Sequence, residues 1–198
     1  MLVKIRNHFK KVDPILFSSI RELYLLEKVS PNEYFEKLCG EIINQQLSDK
    51  ASSTIFAKFK KLYPQGKITP QHTLKLEYDQ IRKAGPSNSK VKFIKGLAQK
   101  VVSEELKLEK LENLTDEEVM IQLTQVKGIG PWTAEMFMMF SLGRPNLFSY
   151  GDLGLKKAIK KLYKFNKDPT QKQMEKIVDK WSPYKSYACI ILWQVLDG

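Results

Sequence analysis

Residues able to do chemistry gather in two pieces of this chain. The first is Val126-Lys127-Gly128-Ile129-Gly130-Pro131-Trp132, a glycine hairpin. Gly128 and Gly130 can take positive φ and leave their backbone amides bare. Pro131 suits the first position of a following helix, where its missing N–H would be unpaired anyway. Bare amides at a helix N-terminus form an anion site, and Lys127 adds positive charge beside it. The second piece is Gly151-Asp152-Leu153-Gly154, about one helix further on. A carboxylate in a water-poor cleft stabilises developing positive charge and can orient or deprotonate a water. Plainer readings stand beside both. Gly-x-Gly is also the tight turn between two core helices, and Asp152 is also an ordinary N-cap for LGLKKAIKKLY.

The charge balance says which anion the hairpin meets. Thirty-three Lys+Arg against 22 Asp+Glu give a net charge of +11 and a pI near 9.5. The expected partner is a polyanion, with nucleic-acid phosphate first; charge alone fits RNA or a membrane surface equally well. The two cysteines, Cys39 and Cys189, are far apart among apolar neighbours. They read as buried free thiols in a reducing compartment. No signal peptide or long apolar run is evident, so the expectation is a soluble, intracellular protein, cytoplasmic or, in a eukaryote, nuclear.

The elements that must position these residues are helical. Asp13-Pro14 opens an apolar stretch expected to be helical to about Leu26. Ser30-Pro31-Asn32-Glu33 is a capping box, after which Tyr34, Phe35, Leu38, Ile42 and Ile43 recur at helical spacing. Ser48 caps a helix expected to reach Tyr63, with Ala51, Ile55, Phe56 and Phe59 inward. Thr69-Pro70 starts a short helix, and Ser89 precedes a basic one running to about Glu104. Leu106 to Leu114 reads as a connector, and Thr115-Asp116-Glu117-Glu118 caps the first helix of the hairpin. Pro131 to about Leu142, Asp152 onward, Pro169 to Trp181 and Tyr184 to about Val195 complete the list. No segment alternates with period two, so the fold class is all-α, with about eight to ten helices.

The pattern Val-Lys-Gly-Ile-Gly-Pro-Trp-Thr-Ala followed by Gly-Asp-Leu-Gly resembles the helix-hairpin-helix (HhH-GPD) DNA glycosylase superfamily. Within it the chain looks most like the 3-methyladenine DNA glycosylase II type. EIINQQLSDKASSTI, KAGPSNSKVKFIKGLA and WSPYKSYACIILW match in the same order, so the resemblance covers roughly residues 30 to 198. It implies a two-lobed helical glycosylase body with a cleft between the lobes. One lobe would hold residues 1–35 and 145–198; the other, 36–144, would carry the hairpin at 124–132.

That resemblance implies a monofunctional enzyme of DNA base excision repair. It would flip a damaged base out of double-stranded DNA and hydrolyse the N-glycosidic bond of an alkylated purine, 3-methyladenine or 7-methylguanine. Asp152 would be catalytic, and Trp132, Met136 and Trp193 would form the base pocket. Gln46 matches the residue that plugs the emptied stack, with Leu47 next to it; on sequence alone these are also a solvated helix end. Lys127, Gly128 and Gly130 would hold the phosphate, and the carbonyls of Thr124, Val126 and Ile129 a monovalent cation. Bifunctional relatives carry Lys where this chain has Trp132, so no lyase step is implied. No cofactor is required and no iron–sulfur cluster is expected; the protein is expected to be a monomer with no membrane partner. The alternatives are a glycosylase for uracil, hypoxanthine or 8-oxoguanine, and a non-catalytic DNA-binding module.

Overall fold

The computed structural model describes residues 1–196, and among these there is no strand. The chain divides into two compact units. One is residues 28–142; the other combines residues 1–27 with 143–198.

The continuous unit begins at the Ser30 capping box. Its first turn, Pro31–Glu33, is a tight 3-10 turn. In chain order, the α-helices among the described residues are α1 Leu2–Val12, α2 Pro14–Ser18, α3 Tyr34–Asn44, α4 Asp49–Lys60, α5 Pro70–Lys75, α6 Tyr78–Lys83, α7 Asn88–Val102, α8 Asp116–Thr124, α9 Pro131–Phe140, α10 Leu153–Leu162, α11 Gln171–Val178 and α12 Lys185–Leu196. In α3 the apolar spacing buries Tyr34, Phe35, Leu38, Ile42 and Ile43 on one side. That side packs on α4, α7 and α9. Tyr34 meets Phe137 of α9 edge to face, with ring centroids 5.5 Å apart. Each fully buried Ile or Leu of this core contributes roughly 1.5–3 kcal/mol. Ser48, Thr69, Thr115 and Ser87 each cap their helix by accepting a backbone N–H.

Some expected boundaries move. The basic helix is capped by Ser87 rather than preceded by Ser89, and α4 stops at Lys60 rather than Tyr63. Of the four residues expected inward on α4, Phe59 is buried and Ile55 and Phe56 are only partly so. The connector 106–114 contains a 3-10 helix, Leu108–Asn113, that buries Leu108 and Leu111.

The larger correction lies at the start of the chain. A helix forms at Leu2–Val12, burying Ile5 and Phe9, where none was expected. The helix expected from Pro14 to Leu26 ends at Ser18. The reason is tertiary. Gln194 of α12 accepts the Glu22 N–H at 3.3 Å and donates to the Glu22 carbonyl at 2.8 Å. The Tyr187 hydroxyl accepts the Leu26 N–H at 3.4 Å. The segment's backbone is therefore paired with α12 side chains instead of with itself.

The same discontinuous unit is built around Asp13. Its carboxylate accepts the Leu16 N–H (3.0 Å), the Tyr163 hydroxyl (2.5 Å) and the indole N–H of Trp181 (2.9 Å). Trp181 is completely buried, in keeping with a structural role. Burial and the neighbouring Asp13 carboxylate push the Tyr163 hydroxyl well above the usual tyrosine range. Helix α10 packs along α12, which brings the N-terminal end of the first beside the C-terminal turns of the second.

Candidate active site

In the continuous unit, the hairpin follows α8 directly. The Val126 N–H returns to the Leu123 carbonyl (3.0 Å) and the Ile129 N–H to the Val126 carbonyl (2.9 Å). Gly128 sits at φ +97°, a conformation side-chain-bearing residues rarely adopt. A second constraint acts on it: a Cβ there would lie 2.2 Å from the Phe93 ring of α7. Gly130 differs from expectation. It is extended, at φ −90° and ψ 175°, and serves as N-cap of α9. Positive φ is thus needed only at the first of the two glycines; at the second, nothing lies within 4 Å of a built Cβ, so neither backbone nor neighbours demand glycine there. Lys127 is exposed at the turn.

A second segment is tied to this hairpin. The side-chain amide of Gln45, at the end of α3, donates to the Gly128 carbonyl (2.8 Å) and to the Thr133 hydroxyl (3.1 Å). Gln46 then stands exposed at φ +56°, and Leu47 is 37% exposed beside it. Lys90, in the first turn of α7, reaches across to the carbonyls of Ile43 and Gln45. Between these pieces lies a cavity of about 490 Å³, walled by Gln45, Gln46, Lys90, Phe93 and Trp132 together with Ser87 and Ser89. Trp132 is 39% exposed in the first turn of α9. Met136, one turn further along, is buried. Gln46 and Trp132 therefore line one cavity, with Gln45 tying it to Gly128 of the hairpin, whereas Met136 offers little free surface.

In the discontinuous unit, Asp152 caps α10: its Oδ1 accepts the Leu155 N–H at 2.8 Å. The amides of a first helical turn and the helix dipole favour a carboxylate there. Two residues on, Gly154 makes room for it. A Cβ at Gly154 would stand 2.9 Å from Asp152 Oδ1 and 3.7 Å from Cδ1 of the Trp193 indole. The carboxylate and the indole edge therefore flank the same glycine. Sequence reasoning singled out Asp152 and Trp193 but gave Gly154 no role of its own; its repeat in Gly-Asp-Leu-Gly was the available signal. Gln45, Lys90 and Phe93 were likewise missed, because their work is done by contacts with residues remote in the chain.

Among the described residues, no group of three or more His, Cys, Asp or Glu side chains is placed to hold a metal ion. Cys39 and Cys189 are buried free thiols, and burial pushes the Cys39 thiol far up. No described helix is long and apolar enough to cross a membrane.

The hairpin, its proline-started helix and the capped aspartate fall within one family model, that of the HhH-GPD superfamily base excision DNA repair proteins, which matches residues 39–183. The chain belongs to this superfamily. Among similar members is DNA-3-methyladenine glycosylase 1 of Schizosaccharomyces pombe, 32% identical over 85% of this chain and 74% of the relative. Another is YfjP of Bacillus subtilis, 32% identical over 79% of this chain. This chain spans only 56% of YfjP's length. Among solved structures, the Schizosaccharomyces pombe 3-methyladenine DNA glycosylase Mag1 in complex with abasic DNA aligns with a TM-score of 0.85 at 29% identity. That alignment covers 96% of this chain and 95% of the other. The all-α expectation and the superfamily resemblance are thus both borne out.

Proposed function

We propose that this protein is a monofunctional DNA glycosylase of base excision repair that releases alkylated purines, 3-methyladenine and 7-methylguanine, from double-stranded DNA. The observation that carries this reading is the Asp152 carboxylate, held by the α10 amides and left room by Gly154 beside the Trp193 indole. Breaking an N-glycosidic bond builds positive charge on the sugar, and a fixed carboxylate stabilises that charge and can direct a water to it. The relatives support the substrate class, since the Schizosaccharomyces pombe protein matched above in both sequence and structure is a 3-methyladenine glycosylase.

The remaining residues take roles that suit their chemistry. Gly128 and Gly130 present backbone amides to a phosphate, and Lys127 adds Coulomb attraction. Gln46 fills the space vacated by the flipped nucleotide and can hydrogen-bond the orphaned base, with Leu47 wedging beside it. The Trp132 and Trp193 indoles offer electron-rich faces that favour a base made cationic by alkylation, and Met136, one turn along from Trp132, completes the apolar lining of the pocket. Trp132 is not an amine, so no Schiff base with C1′ forms at that position and the strand is left intact.

The carbonyls of Thr124, Val126 and Ile129 suit a monovalent cation in donor chemistry. Thr124 ends α8, where the last carbonyls have no intrahelical partner. The Val126 carbonyl accepts the Ile129 N–H and keeps a second lone pair. Such an ion would supply charge neutralisation at the hairpin. The protein is proposed to act as a monomer, inside the cell.

The deciding experiment is incubation with methylated duplex DNA, with chromatography of the freed bases and a denaturing gel of the strand. Release of 3-methyladenine or 7-methylguanine from an uncut strand is the expected result. Release of uracil, hypoxanthine or 8-oxoguanine from the corresponding duplexes instead, or of no base at all, would overturn it.

A further inference from the structure

Helix α7 opens with Ser87 as N-cap, and its first turn carries Lys90. The Lys90 ammonium donates to the Ile43 carbonyl at 2.8 Å and to the Gln45 carbonyl at 2.6 Å. Both carbonyls lie at the C-terminus of α3, where helical carbonyls lack partners and the dipole is negative. The residue that follows, Gln46, has φ +56°. Left-handed backbone is unfavourable for a residue with a Cβ and persists only where the surroundings hold it.

The surroundings here hold it from three directions. Lys90 grips the carbonyl of the peptide that enters Gln46. The Leu47 N–H returns to the Asn44 carbonyl at 3.1 Å and closes the turn on the other side. The Gln45 side chain is fixed to Gly128 and Thr133. Burial lowers the pKa of Lys90, in keeping with an ammonium drawn partly out of water.

We propose that Lys90 is the positioning residue for Gln46: by pinning the Ile43 and Gln45 carbonyls it keeps Gln46 projecting in a left-handed conformation, ready to enter the gap when a nucleotide leaves the duplex. This rests on the reading of Gln46 as the gap-filling residue. Lys90 acts through the backbone, with two of its three donors committed to carbonyls. A lysine reading DNA phosphate directly would make different predictions.

The test is a double-mutant cycle on single-turnover base release from methylated duplex, using Lys90→Met, Gln46→Ala and the double variant, with thermal unfolding of each. Each single change is expected to slow release roughly tenfold, and the double variant to be no slower than the slower single one. Lys90→Met is also expected to leave the salt dependence of binding to undamaged DNA unchanged. Multiplicative slowing in the double variant would overturn the proposal while leaving the glycosylase reading intact. So would a drop of about one in the salt slope, which would mark Lys90 as a phosphate contact. Should Lys90→Met not fold, Lys90→Gln serves in its place, with the same non-additivity expected. Wild-type release by Gln46→Ala would remove the plug and this proposal together, but not the role of Asp152. No base release by the wild-type protein would overturn the glycosylase reading and this inference with it.

Discussion

The Gln45 side-chain amide lies 2.8 Å from the Gly128 carbonyl, which ties the end of α3 to the glycine hairpin. Gln45→Leu removes that bond and the one to Thr133 while keeping an apolar body of similar size. The change leaves a carbonyl and a hydroxyl short of a partner and should cost about 1–3 kcal/mol. Thermal unfolding measures that loss. DNA affinity should fall with it, and unchanged affinity would show that the hairpin does not depend on this tie.

Asp152 has two separable duties, and two substitutions part them. Asn is as good an N-cap as Asp, so Asp152→Asn should unfold at nearly the wild-type temperature. It should nevertheless lose base release by roughly 10²–10³-fold, because the fixed negative charge is gone. Asp152→Ala should match that loss and also cost about 1 kcal/mol of stability. DNA binding is expected to survive both. Base release by Asp152→Asn at the wild-type rate would remove this carboxylate from the mechanism.

Gly154→Ala tests the room left for that carboxylate. Ala is the better helix former by up to about 1 kcal/mol, which offsets a disturbed Asp152 cap of similar worth, so stability should change little. The new methyl would meet Asp152 Oδ1 at 2.9 Å and push it aside. A displacement of about 1 Å costs roughly 10²-fold in rate, so this smaller shift should slow release by less than that. A variant that is both stable and fully active would show that the carboxylate tolerates the shift.

Glu41 gives the protein a pH-dependent stability. Burial pushes its carboxyl up to about 7 from 4.5, against the opposing pull of Lys37. The folded protein therefore holds this proton more tightly than the unfolded chain does. The stability it confers is full below about pH 4.5 and is lost as pH rises through about 7. Glu41→Gln should be more stable than wild type at pH 8 by on the order of 2–3 kcal/mol, with the gain vanishing at about pH 4.5. Denaturant unfolding at the two pH values checks both halves of the claim.

Lys127 is exposed at the hairpin and bears on the salt dependence of binding. Affinity for undamaged duplex should fall steeply with ionic strength, since neutralised phosphates release counterions. Lys127→Gln should reduce the slope of log affinity against log salt by about one. A slope untouched by the substitution would place the phosphate elsewhere.

Sequence alone determined whatever rests on local rules. The caps at Ser48, Thr69 and Thr115, the proline-started α9 and the Asp152 cap were all legible, because a side-chain oxygen and the amides it caps lie within three residues. So was the inward face of α3, because burial follows the helical period. Tertiary structure decided the rest. The run from Leu23 to Leu26 has the composition of a helix, yet Gln194 and Tyr187 claim the nearby backbone. Gly128 and Gly130 look alike in the sequence, but only the first lies under Phe93 and at positive φ. Lys90 is one of several lysines on a basic helix, and its partners appear only where α3 ends against it. Gly154 has no role of its own in the sequence until the Asp152 carboxylate is seen to need its missing Cβ. In each case the deciding contact joins the residue to a side chain or backbone group remote in the chain or invisible to helical periodicity, and no local propensity encodes it.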